Sequence, residues 1–130
     1  MKSELVLHEL EGPKRVGQLI KVLEGLYRER VPVVVWVGDE GRRQILDDFL
    51  WTYSHLGFLP HSMWAGNMGE VSDPIVLVGE EGSPNGAKVL VVGDGLPAHE
   101  WAATFEKIHD FIPPGEEGTK RRQWWDGFGD

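Results

Sequence analysis

The chain has no cysteine. That excludes disulfides, thiolate zinc sites and cysteine nucleophiles together. No apolar run approaches the ~20 residues needed to span a bilayer. The opening residues Met1-Lys2-Ser3-Glu4 carry neither the apolar stretch nor the cleavage site of a secretory signal. A cytoplasmic protein with no membrane segment is therefore expected. Basic residues are also scarce: the formal net charge is −8. Broad, phosphate-driven nucleic-acid binding needs a basic surface and is disfavoured.

What is present is ordinary in amount and uneven in placement. The 130 residues are 41% apolar and 26% charged, which fits one globular domain over residues 1–130. A chain of this size buries roughly two thirds of its unfolded surface, enough for a core. Residues 44–87 contain six acids (Asp47, Asp48, Glu70, Asp73, Glu80, Glu81) and neither Lys nor Arg. Residues 119–125 contain Lys120, Arg121 and Arg122 and no acid. One small basic spot on an acidic protein suits a small anionic partner better than a duplex, although such a run also serves as a solvated helix end.

Glu4 to His8 reads as a first strand. Gly12-Pro13 opens a helix, with Pro early, where its missing N–H costs nothing. Val16, Leu19, Ile20, Leu23, Leu26 and Tyr27 then recur at helical spacing. Val31 to Val37 is a continuous apolar run, the pattern of a strand covered on both faces. Gly38-Asp39-Glu40 ends it and favours the start of another helix, whose apolar side is Ile45, Leu46, Phe49 and Leu50. Residues 57–73 are irregular, with room for a short edge strand around Phe58–Met63. Two more strands follow at 74–78 and 88–92. The segment between them, Gly79 to Ala87, is too short and turn-rich for a crossover helix, so the two strands are expected to run antiparallel if adjacent. Ala98, Trp101, Ala102, Phe105 and Ile108 predict a third helix, broken by Pro113-Pro114-Gly115. Residues 116–125 predict a short last helix, and 116–130 a short C-terminal segment that frays at its end. The alternation implies a three-layer α/β/α single domain with a mostly parallel, mixed central sheet.

Ligands in such sheets sit at the carboxyl ends of strands, and two strands here end in Gly-Asp, at Asp39 and Asp94. Neither a G-x-G-x-x-G turn nor a G-x-x-x-x-G-K-[ST] loop is present, so both acids are expected as helix N-caps. A nucleotide-binding domain or small enzyme using Asp39 and Asp94 is the rival reading. The five His residues (8, 55, 61, 99, 109) lack metal-ligand spacing. His109 and Asp110 are neighbours whose side chains diverge on a helix; Asp110 is expected to meet nearby backbone or Arg121, and His61 to make a structural hydrogen bond. Six Trp is a high count. Trp36 and Trp101 fit the core pattern; Trp51, Phe58, Trp64, Trp124 and Trp125 do not. Trp and Arg are the residue types that dominate binding hot spots.

Two blocks carry a family resemblance. The first is Ile45-Leu46-Asp47-Asp48-Phe49-Leu50-Trp51 with Phe58-Leu59-Pro60-His61. The second runs from Trp101 to Asp110-Phe111-Ile112-Pro113. In order and spacing they resemble the chi subunit of bacterial DNA polymerase III. The resemblance implies a fold like that of nucleotide-binding proteins but without a phosphate loop, no catalysis of its own and no cofactor. It implies an accessory subunit of the clamp-loader assembly that binds the acidic, Phe-terminated C-terminal tail of single-stranded-DNA-binding protein, making DNA contact indirect. The psi subunit or another clamp-loader subunit is a further implied partner. A terminal Phe needs an apolar pocket, with cations for its carboxylate and the neighbouring acids. Trp51, Phe58 and Ile112 are the expected wall; Lys120, Arg121 and Arg122 the expected charge, with Trp124 alongside. Arg121 and Trp124 match the family's Arg and aromatic positions across a short deletion, and Trp125 falls where the family often has a basic residue.

Overall fold

The computed structural model describes residues 3–12, 14–52, 59–66 and 68–128. Six strands and four helices follow in chain order: β1 (Glu4–Glu9), α1 (Val16–Arg28), β2 (Val33–Val37), α2 (Glu40–Thr52), β3 (His61–Trp64), β4 (Ile75–Val78), β5 (Val89–Asp94), α3 (His99–Ala102), β6 (Lys107–Ile112) and α4 (Glu116–Asp126). The strands form one sheet in the order β1-β6-β5-β2-β4-β3.

All five strand pairings are parallel, which corrects the expectation of a mixed sheet. β4 and β5 are not neighbours, because β2 lies between them. Their connection crosses β2 with no helix, and Asn85 makes this workable. Its Nδ2 donates to the carbonyls of Asp73 at 3.0 Å and Val33 at 3.3 Å. One side chain thus ties the short crossover to the start of β2 and the approach to β4 and satisfies backbone carbonyls there.

The period-2 alternation of the strands divides the core in two. On one face, Val33, Val35, Val37, Ile75, Leu77, Val89, Val91 and Phe111 pack under α1 (Leu19, Ile20, Leu23) and α2 (Leu46, Leu50). On the other, Val34, Val76, Val78, Leu90, Val92 and Ile108 pack under Trp101, Ala102 and Trp125. Trp36 lies half-buried against this second core, 5.2 Å from the Trp101 ring. The result is the expected three-layer α/β domain.

The third helix differs most from expectation. It stops at Ala102, and the chain from Lys107 to Ile112 is a strand. The Thr104 and Phe105 amides bond three residues back, to Trp101 and Ala102, so the helix tightens and ends. β6 is covered on both faces, so its apolar residues do not alternate visibly with polar ones. On a strand, His109 and Asp110 point to opposite faces.

Candidate functional site

Asp39 caps α2 as expected, its carboxylate accepting the Arg42 amide at 2.8 Å. Asp94 caps nothing. It ends β5, where the register shifts between Trp36 and Val37 so that Asp94 pairs with Val37. Its Oδ1 lies 3.3 Å from Arg42 Nη1. The two Gly-Asp strand ends therefore have different roles, because a helix follows at once only after β2.

α4 is the element on which most of the expected site depends. Gly115 precedes it at φ +86°, a conformation glycine adopts without strain. One turn into the helix, a Cβ on Gly118 would run into the Pro113 carbonyl oxygen. Glycine there lets α4 lie directly on the end of β6. The inward side of α4 is a polar node around Asp110, which is fully buried. Asp110 accepts Arg121 Nη2 at 2.8 Å, Arg121 Nε at 3.1 Å, Trp125 Nε1 at 2.7 Å and its own neighbour's amide, Phe111 N–H, at 2.8 Å. Arg121, 5% exposed, also donates from Nη2 to the Gly95 carbonyl at 3.2 Å. The carboxylate and the guanidinium face each other as a fork, which is what allows both charges to be buried.

The outward side of the same helix is open. Lys120 and Arg122 are exposed. Lys120 lies 3.9 Å from Glu116, and Arg122 is paired with Glu9 at the end of β1. Where α4 meets β6, a hollow of about 340 Å³ is lined by Leu10, Ile112, Pro113, Gly118, Thr119 and Arg122, among others. Its lining mixes apolar Leu10, Ile112 and prolines with polar groups, and at its rim the one cation, Arg122, is paired with Glu9. Trp124 lies elsewhere on α4, its ring 4.2 Å from His99, which holds the Trp124 carbonyl at 2.8 Å.

The structure thus brings Ile112 and Arg122 together and turns Arg121 inward. It does not bring Trp51 to them. Trp51 is half-exposed at the end of α2, its ring 4.4 Å from His61 on β3. β3 and β6 are separated by four strand steps of ~4.8 Å, about 19 Å, and α2 lies on the opposite face of the sheet from Trp125. Phe58 lies outside the described residues. His61 has the structural role expected of it, with Nδ1 2.6 Å from the Leu59 carbonyl and Nε2 3.1 Å from Asp47.

A second, larger groove of about 1240 Å³ opens at the carboxyl ends of β2 and β5, between α1 and α2. The strand ends at Asp39 and Asp94 were the sequence's pointer to this place, but Arg15, Arg42 and Phe49 converge on it only through the fold. A third feature also escaped the sequence: His8 Nε2 and His109 Nδ1 lie 2.9 Å apart, with the rings stacked on each other and His8 stacked on Phe111. Burial, then His8 and Lys107, holds the His109 imidazole down to about 4. Burial lowers His8 as well, against the pull of Asp110. Among the described residues no group of three or more His, Asp or Glu is placed to hold a metal ion, and no helix is long and apolar enough to cross a membrane.

Fold and site together define a parallel three-layer α/β protein with a small hollow, rimmed by Arg122, where its last helix meets β6. The family model described as DNA polymerase III chi subunit, HolC, matches residues 3–127, and the chain belongs to that family. It is similar to the probable DNA polymerase III subunit chi of Rickettsia prowazekii (strain Madrid E), with 30% identity over 74 residues. That match covers 57% of this chain and 44% of the relative, so it spans less than half of the curated protein's length.

Proposed function

We propose that the chain is a non-catalytic subunit of the clamp-loader assembly that holds the acidic, Phe-terminated C-terminal tail of single-stranded-DNA-binding protein. The observation that carries the reading is the hollow between β6 and α4, with Ile112 and Pro113 as walls and Arg122 at its rim. Its volume admits one aromatic side chain. The terminal Phe enters it, Arg122 meets the carboxylate, and Lys120 meets the tail's acids along the exposed side of α4. Arg121 acts behind the surface, fixing the helix through Asp110. Trp124 flanks the acidic stretch. Trp51 stands on another part of the molecule and has no role in this hollow. The psi subunit, or another subunit of the assembly, takes a surface that these residues do not define.

The test is titration of the protein with a fluorescent peptide carrying the acidic tail, beside the same peptide without its terminal Phe. Saturable binding that requires the Phe and weakens with salt is expected. Equal binding of both peptides, or none at low salt, removes the tail reading.

A further inference from the structure

We propose that the larger groove, at the carboxyl ends of β2 and β5, is a binding site for a nucleotide. The topology creates the crevice. From β2 the chain continues through α2 on one face towards β3, whereas from β5 it continues through α3 on the other face towards β6. Where successive connections part to opposite faces, the strand ends are left uncovered, and open α/β sheets take ligands there. At about 1240 Å³ the groove has room for a base, a sugar and phosphates.

Its two sides differ in chemistry. One wall is apolar: Val16 and Ile20 from α1 face Ile45, Leu46 and Phe49 from α2. Ile45 is 55% exposed, an apolar surface that a base would cover. The rim holds three cations, Lys14, Arg15 and Arg42, against two acids, Asp94 and Glu117; Arg121 also lines the groove, but its charge is matched by the buried Asp110. That local excess of positive charge stands on a chain of net charge −8, so the groove is complementary to an anion. Arg42 is a cation within a ligand's reach. Its side chain is 69% exposed and meets Asp94 at 3.3 Å. The start of α1 borders the same rim. Its N-cap position, Arg15, makes no side-chain cap, and its first turn holds no acid, so the helix's positive end adds to the field there. Gly93 and Gly95 line the strand side, Gly95 at φ +73°. The space beside Gly93 is filled by Val37 and Val35, so this side offers a ligand the Asp94 carboxylate, which can accept sugar hydroxyls. Arginine side chains take the place of a phosphate loop. Ile112 and Arg122 line the other hollow, so this site does not depend on the tail reading.

The experiment is calorimetric titration of the whole chain at low salt with the mono-, di- and triphosphates of adenosine and thymidine. Inorganic phosphate, free nucleosides and the acidic tail peptide are run alongside. The same set is applied to Arg42→Glu and Ile45→Asp, both at exposed positions, with folding checked by circular dichroism. Saturable nucleotide binding is expected, stronger than that of phosphate or nucleoside. Each variant should weaken it by roughly tenfold or more and leave tail binding unchanged. The proposal is overturned by absence of saturable binding at millimolar nucleotide, or by binding that Arg42→Glu leaves intact. It is also overturned if nucleotide is silent and the tail peptide is the ligand that Arg42→Glu abolishes.

Discussion

The two sides of α4 use the same residue type for opposite purposes. Arg121 faces inward, 5% exposed, forked on a buried carboxylate. Arg122, the next residue, faces outward, 43% exposed, on the rim of a hollow. A helix turns about 100° per residue, so consecutive cations that look like one cluster in sequence belong to different environments. The inward side gives the helix its position, and the outward side presents exposed cations whose partners, Glu9 and Glu116, are themselves exposed. A basic run should therefore be read by helical face before it is read as a site.

Breaking the inward side should have the largest effect. Asp110→Ala strands a buried guanidinium and Arg121→Ala a buried carboxylate, and either should cost about 3–5 kcal/mol. Urea unfolding of the purified variants measures it. Arg121→Lys keeps the charge but loses the fork, so it should restore part of the loss and not all. A loss below about 1 kcal/mol in Asp110→Ala would mean that the node does not anchor α4.

Acid should act next, through the His8–His109 pair. Folding keeps His109 neutral down to about 4, whereas the unfolded residue takes its proton near 6.5. At neutral pH both states are uncharged and the pair costs nothing. As pH falls from about 6.5 towards 4 the unfolded state gains protons first, and up to roughly 3 kcal/mol of stability is lost. His109→Gln should flatten that part of the pH–stability curve relative to the native chain; parallel curves would contradict the assignment.

On the outward side the effects should fall on binding. Arg122→Glu should weaken the tail complex by about 1–3 kcal/mol with little change in unfolding. Trp124→Ala should cost about 1 kcal/mol or less of stability, since the ring is 37% exposed and its named contact is His99. A large loss of stability in Trp124→Ala would place that ring with the inward side instead.

Much of this architecture was legible beforehand. The helical spacing from Val16 to Leu26, the apolar run of β2 and the Asp39 cap are local signals, and local physics honours them. Contact of Asp110 with nearby backbone or Arg121 was expected, and both occur; the burial of the pair was not, because Arg121 was expected as a site charge. β6 was not readable as a strand, because a strand covered on both faces loses the alternation that distinguishes it from a helix. The parallel course of β4 and β5 depended on Asn85 holding a bare crossover, a tertiary contact with no sequence period. The site was legible in part for the same reason. Ile112 and Arg122 lie close along the chain and meet where α4 packs on the end of β6, whereas Trp51 was expected there only by resemblance, and the fold puts it on α2, beside β3, which is four strands from β6.

The central claim is that the outward side of α4 binds while the inward side supports. It is tested most directly by titrating the Phe-terminated tail peptide against the native chain, Arg122→Glu and Trp51→Ala side by side, each shown to be folded. The account predicts weakened binding in Arg122→Glu and native affinity in Trp51→Ala. Native affinity in Arg122→Glu with loss in Trp51→Ala would contradict it, and would move the tail site to the edge formed by α2 and β3.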